Sequence, residues 1–397
     1  MTVKSIKVEL HPEYPVYFGW QIISGIVRAE VLQEISCKDV KVTCSGKAKV
    51  RWTEGSGKQQ LVFKAKEKYV NLSKIVWTPE IPERGKLPAG NYAWPFSFQL
   101  PQDIPSSFEG TFGFIRYKVK ANINISSAYD KKHSIYFSVC CPVDLNYDDN
   151  AKSPLKMVKT DTYGCCCCVK GPVALNFNCQ YSGAVSGEKF KIRGEVANQG
   201  RKEVTNSTVT IYQKVTYRSG KSKNKKTTDQ VCKVTRGAIA PGDRDFYVDV
   251  PLEIPAVVPS LKFCNIMELQ YIIEIKATFG SYSYVYERVP FNIGTIPFVT
   301  EGENVPIPAA RGDAFVGFPP PITFAPPLTG FVPEGGLPAA GPEMRPPMMG
   351  PPAGPMMEPF YNHPVPGTED CYFCGNIRMR LNMKSPAPKY ISYASVM

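Results

Sequence analysis

Apolar and polar residues alternate along much of the first 300 positions. From Tyr92, one face takes Tyr92, Trp94, Phe96, Phe98 and Leu100. From Ile115, one face takes Ile115, Tyr117, Val119, Ala121, Ile123 and Ile125, and the other takes Arg116, Lys118, Lys120, Asn122 and Asn124. The pattern returns at Leu269, Tyr271, Ile273, Ile275, Ala277 and Phe279. A period of two sends successive side chains to opposite faces, so each stretch predicts a strand with a core side and a wet side. Short strands parted by Gly, Pro and Ser turns, with little helical periodicity, predict an all-β fold of antiparallel β-sandwiches.

The two halves of this region echo each other. Pro88-Ala89-Gly90, Phe96-Ser97-Phe98-Gln99-Leu100-Pro101 and Ile104-Pro105 are answered by Ala240-Pro241-Gly242, Phe246-Tyr247-Val248-Asp249-Val250-Pro251 and Ile254-Pro255. Tyr117-Lys118-Val119-Lys120-Ala121 is answered by Tyr271 to Ala277, and Ser24-Gly25 by Ser186-Gly187 at a strand start. Two diverged copies of one sandwich explain this order. The expected organisation is a sandwich over 1–146, a junction over 147–170, a second sandwich over 171–300 and a tail over 301–397.

Composition sets the tail apart. Residues 301–397 hold 20 of the 37 prolines and 11 of the 31 glycines. Such a segment has too little apolar surface to offset its chain entropy, so it is expected to be a disordered Pro/Gly-rich tail. Charge separates the parts as well. The tail carries 6 of the 47 Lys/Arg and 8 of the 35 Asp/Glu, which leaves 41 against 27 in the first 300 residues. A basic folded body suits acidic partners such as phosphopeptides or anionic lipid heads.

No apolar run approaches the roughly 18 residues that a spanning helix needs, and charges interrupt the N-terminus at once. A cytoplasmic protein without a transmembrane segment is expected. The 13 cysteines are an odd number and read as thiols in a reducing compartment. His11, His133 and His363 stand in no triad, elbow or zinc-helix context, and no Gly-rich phosphate loop follows a strand. Binding rather than catalysis is expected, with no cofactor and no metal, and no nucleic-acid motif is present.

Several segments resemble the arrestin-domain-containing proteins, or α-arrestins. Tyr14-Pro15-Val16-Tyr17, Leu87-Pro88-Ala89-Gly90, Pro95-Phe96-Ser97-Phe98, Pro105-Ser106-Ser107-Phe108-Glu109-Gly110 and Arg116-Tyr117-Lys118-Val119-Lys120-Ala121 are similar to the N-terminal arrestin domain. The run Cys165-Cys166-Cys167-Cys168 with Gly171-Pro172-Val173, then Gly194 to Gly200 and Ile293-Gly294-Thr295-Ile296-Pro297, are similar to the C-terminal one. The resemblance covers about 300 residues. It implies two tandem arrestin-like (immunoglobulin-like) sandwiches and a trafficking adaptor that binds cytosolic regions of membrane-protein cargo. It also implies recruitment to the plasma membrane or endosomes. In that family the tail carries Pro-Pro-x-Tyr motifs for the WW domains of HECT-type ubiquitin ligases. Here Pro359 with Tyr361 and Pro388 with Tyr390 keep the second proline and the tyrosine but lack the first proline. The alternative reading is a coat-type or retromer-like arrestin-fold subunit with a fixed protein partner.

Other segments carry two readings each. Arg116, Lys118 and Lys120 form a basic stripe that meets acidic cargo or anionic lipid, or else a solvated sheet face. Arg218, Lys221, Lys223, Lys225 and Lys226 read as a hairpin tip between 211–217 and 230–235. They contact phosphate or lipid there, or simply protect an edge. Cys165, Cys166, Cys167 and Cys168 fit acylation, metal binding or a plain structural role, since neighbouring side chains on extended backbone point apart. Cys371 and Cys374 have zinc-knuckle spacing without a second ligand pair. Arg311-Gly312-Asp313 is a chance match in a chain without a secretion signal.

Overall fold

The computed structural model describes residues 3–11, 16–80, 85–126, 129–163, 170–220, 223–280, 283–299, 368–370 and 387–391. They lie in one compact unit that takes in residues 1–303 and 366–397.

The first sandwich uses β1 (Val3–His11), β2 (Val16–Phe18), β3 (Ile22–Val31), β4 (Ile35–Glu54), β5 (Leu61–Trp77), β6 (Lys86–Leu87), β7 (Gly90–Gln99), β8 (Phe108–Gly110), β9 (Gly113–Ile125) and β10 (Lys131–Cys140). A small sheet runs β1-β3-β7 and a large one β2-β10-β9-β4-β5, with β6 on β4 and β8 on β9. The second uses β11 (Leu155–Tyr163), β12 (Lys170–Cys179), β13 (Gly183–Val185), β14 (Lys189–Asn198), β15 (Asn206–Arg218), β16 (Asn224–Arg236), β17 (Arg244–Glu253), β18 (Met267–Phe279) and β19 (Ser283–Gly294). Its sheets run β11-β12-β14-β17 and β13-β19-β18-β15-β16. The strand β11 falls in the stretch expected as a junction. It pairs with β12 from Leu155↔Cys179 onward and so forms the edge of the second sandwich.

The two strand orders superpose. The β2-β10-β9-β4-β5 order matches β13-β19-β18-β15-β16, and in both the short first strand pairs parallel with its neighbour. The duplication read from sequence is therefore a duplication of topology. Its core is the alternation itself: Ile115, Tyr117, Val119, Ala121 and Ile123 face inward with at most 1% exposure, as do Ile273, Ile275, Ala277 and Phe279 in β18. Burying each such aliphatic side chain contributes roughly 1.5–3 kcal/mol.

Each copy also ties its central tyrosine to the loop ahead of that strand. The Tyr117 hydroxyl donates to the Pro105 carbonyl at 2.6 Å, and Tyr271 donates to the Val258 carbonyl at 2.5 Å. Tyr117 lies flat across β4 because Gly46 is its neighbour there; a Cβ on Gly46 would come within 2.4 Å of the ring. The Ser-Gly echo does not map onto this repeat. Ser24-Gly25 lies inside β3, whereas Ser186-Gly187 forms the turn before β14, with Gly187 at φ 87.

The sandwiches are joined by polar and apolar contacts. Residues 143–146 run beside 295–297: Val143 N–H donates to Thr295 Oγ1 at 2.8 Å, and Asn146 Nδ2 donates to the Pro297 carbonyl at 2.8 Å. Phe112, in the β8–β9 turn, packs edge-on against Tyr217 with centroids 5.6 Å apart.

Two short strands, β20 (Thr368–Asp370) and β21 (Lys389–Ile391), form an antiparallel pair in the region expected to lack structure. The physical reason is local. Ala387, Pro388 and Tyr390 are buried, and Lys389 N–H donates to Ser138 Oγ in β10 at 2.9 Å.

The inner thiols are shielded. Burial pushes Cys44 and Cys140 up to about 12. Both should therefore resist iodoacetamide at pH 8 in the native chain and react once it is denatured, as read by peptide mass spectrometry.

Candidate functional site

A broad basic surface covers the outward side of the large sheet in the first sandwich. Residues opposite each other in an antiparallel pair point to the same side. In β4, Lys47, Lys49 and Arg51 oppose Lys68, Lys66 and Lys64 of β5. On the other flank, Lys47 opposes Arg116, Ser45 opposes Lys118 and Thr43 opposes Lys120 of β9. Lys41 continues the row in β4, opposite Asn122. Their inward neighbours Val42, Cys44, Ala48 and Val50 fill the core, which fixes the lysines on the outside.

Crowding of like charge follows. Lys47 is held below the usual lysine range, first by partial desolvation and then by Lys49, Lys118, Lys66 and Arg116 around it. Among the described residues, no carboxylate is paired with Lys41, Lys47, Lys49, Lys64, Lys66 or Lys68. The stripe expected from sequence is one strand of this wider face.

Its members differ in what they can offer. Arg116 is committed to Glu109, which is buried: Nε to Oε1 is 2.5 Å and Nη2 to Oε2 is 2.8 Å, and the guanidinium sits 3.9 Å from the Phe114 ring centroid. A bidentate pair of this kind serves the sheet before it serves a partner. Lys118 and Lys120 are half-buried on the face, with Lys118 Nζ 5.9 Å from the Tyr136 ring.

The basic hairpin of the second sandwich, read from sequence as an edge-protecting tip or as a phosphate or lipid contact, turns partly toward the first sandwich. Lys223 and Lys225 reach the first sandwich and pair with Glu54 at 3.5 and 3.8 Å, over the Phe63 and Phe112 rings. Arg218 pairs with Glu268. Lys226 is exposed, and Lys221 lies outside the described residues. Lys223 and Lys225 thus bridge the two sandwiches, because Glu54 at the end of β4 lies within reach.

The tail motifs divide. Pro359 and Tyr361 lie outside the described residues. Tyr390 is 1% exposed, and its hydroxyl donates to the Ser107 carbonyl. Ser106 and Ser107 are themselves laced to β10, accepting from Cys141 N–H and Val139 N–H at 2.9 Å each. Docked this way, Tyr390 offers no ring to a WW groove. Cys165, Cys166, Cys167, Cys168, Cys371 and Cys374 also lie outside the described residues. Among the described residues no group of three or more His, Cys, Asp or Glu side chains could hold a metal. No described helix is long and apolar enough to cross a membrane.

Sequence reasoning missed Lys47, Lys49, Arg51, Lys64, Lys66 and Lys68. The signal was present as two period-two runs of cations. What joins them is the β4–β5 register.

Two tandem sandwiches of this topology, tied tyrosine to loop in each, define an arrestin-type body. Residues 6–146 match the family described as "Arrestin (or S-antigen), N-terminal domain", and residues 169–298 match "Arrestin (or S-antigen), C-terminal domain". The chain is 28% identical over 298 residues to "Arrestin domain-containing protein 17" of Caenorhabditis elegans, covering 72% of this chain and 69% of that protein. It is 26% identical over 291 residues to "Arrestin domain-containing protein 4" of Mus musculus, covering 71% and 69%. With "Arrestin domain-containing protein 1" of Homo sapiens it shares 28% over 218 residues, covering 55% and 48%. The chain belongs to the arrestin family, among the arrestin domain-containing proteins. That is an adaptor family whose members are generally non-catalytic.

Proposed function

We propose that this chain is an adaptor in membrane-protein trafficking. The two sandwiches engage cytosolic regions of membrane cargo, and the Pro-rich tail recruits HECT-type ubiquitin ligases through their WW domains. The chain works in the cytoplasm and is recruited to the plasma membrane or endosomes. The observation that carries this reading is the pairing of an arrestin body, with its extended basic face, and a proline-rich tail with tyrosine-ended motifs. A weak cargo contact and a weak ligase contact reinforce each other when one chain links them.

The burial of Tyr390 sharpens the tail's part. Ligase capture then rests on Glu358-Pro359-Phe360-Tyr361, while Ala387-Pro388-Lys389-Tyr390 holds the tail to the body. Loss of an anchoring aromatic side chain typically weakens an interface by 2 kcal/mol or more, about thirtyfold. Tyr361→Ala should therefore abolish capture on immobilised WW domains, whereas Tyr390→Ala should leave it unreduced. Capture that survives Tyr361→Ala would remove the ligase branch.

A further inference from the structure

We propose that the outward face of the β5-β4-β9 sheet is a docking surface for an anionic lipid bilayer. The proposal rests on the adaptor reading and gives that reading a membrane-facing side.

The shape of the face suits a plane. Cations occupy three neighbouring strands at about 4.8 Å spacing, and recur along β4 from Lys41 to Arg51 over roughly 33 Å. An extended peptide is one strand wide and meets one such row. A plane of headgroups meets all of them together.

The residue types on the face point the same way. Clamping a phosphorylated side chain favours the planar fork of arginine, which fits a phosphate in two-point contact. Arg116, the central arginine of this face, is already forked onto buried Glu109. Apart from Arg51 at the far end of β4, what remains is a carpet of lysines, Lys49, Lys64, Lys66 and Lys68 being exposed. Lysine is a mobile, hydrated point charge that suits a diffuse field better than a fixed phosphate. Near an anionic leaflet each basic residue strengthens attachment by about fivefold.

The face also carries an electrostatic cost. Lys47 lies among Lys49, Lys66, Lys118 and Arg116, a standing repulsion within the native face. Opposing charge spread over the whole face relieves it, whereas a short acidic peptide relieves it only along one row.

The test uses the full chain and vesicles of phosphatidylcholine alone or with roughly one-third phosphatidylserine, read by co-sedimentation across a salt series. The native chain should bind only the anionic vesicles, and binding should fall steeply as salt rises. The variant K49Q/K64Q/K66Q/K68Q should lose more than about a hundredfold in partitioning. A second variant, K152Q/K156Q/K191Q/K233Q, removes the same net charge from exposed sites elsewhere and should retain most of the binding. Thermal melts of both variants check that they fold. Equal losses in the two variants would overturn the proposal by assigning the effect to net charge. So would absence of vesicle binding by the native chain. Selective capture of a multiply phosphorylated peptide, with vesicles ignored, would give the face to peptides instead. No cargo is present in this assay, so its failure leaves the adaptor reading untouched.

Discussion

Replacing Tyr117 by alanine should destabilise the first sandwich by about 3–5 kcal/mol, the range for deleting a large buried aromatic side chain. The ring is fully buried, and Gly46 has been left without a side chain to make room for it. Two losses add. The ring leaves a cavity between the sheets, and the Pro105 carbonyl loses its donor. Tyr117→Phe keeps the ring and removes only the hydroxyl, so it should cost about 1–3 kcal/mol. Denaturant titration of residues 1–303 with and without the tail would read both. Similar costs for the two variants would show that the hydrogen bond, not the packing, holds this position. The same pair of substitutions at Tyr271 should repeat the pattern in the second sandwich, because its hydroxyl holds Val258 in the corresponding loop.

The second large effect is expected at Glu109. Its side chain is 2% exposed and carries the two-point contact to Arg116, which is 20% exposed. Removing one partner of a buried pair costs up to 3–5 kcal/mol, because the other charge is left uncompensated. Arg116 retains some access to water, so Glu109→Ala should cost about 2–3 kcal/mol. Glu109→Ala with Arg116→Met should recover part of that loss, since the stranded charge is gone and the Phe114 ring keeps an apolar cover. If the double variant is less stable than Glu109→Ala alone, the pair is not the reason for the burial.

How much of this was legible in the sequence depends on the distance over which each feature is encoded. The strands β9 and β18 were visible because alternation is local: the inward residues from Ile115 to Ile123 and from Leu269 to Phe279 are the buried ones. The duplication was visible because equivalent segments keep their order, although the Ser-Gly echo paired positions the topology does not equate. The basic face was half visible. Arg116, Lys118 and Lys120 lie on one strand, but Lys47, Lys49, Lys64, Lys66 and Lys68 join them only through pairing across β4, β5 and β9. No local pattern states a register of that kind. The clasp of Lys223 and Lys225 onto Glu54 depends on contact between the sandwiches. The docking of Tyr390 depends on a slot made by Ser107 and Ser138, more than two hundred residues away along the chain. A composition rule that averages over a proline-rich tail passes over one buried ring.

The central claim is that a two-sandwich arrestin body links membrane proteins to tail-bound machinery without acting on them chemically. Proximity labelling in cells, comparing the native chain with Tyr361→Ala, tests it most directly. The account predicts that the native chain labels both transmembrane proteins and HECT-type ligases, and that the substitution removes the ligases while the transmembrane proteins stay. Labelling dominated by one soluble partner in fixed proportion, indifferent to Tyr361, would contradict it and favour a coat-type subunit.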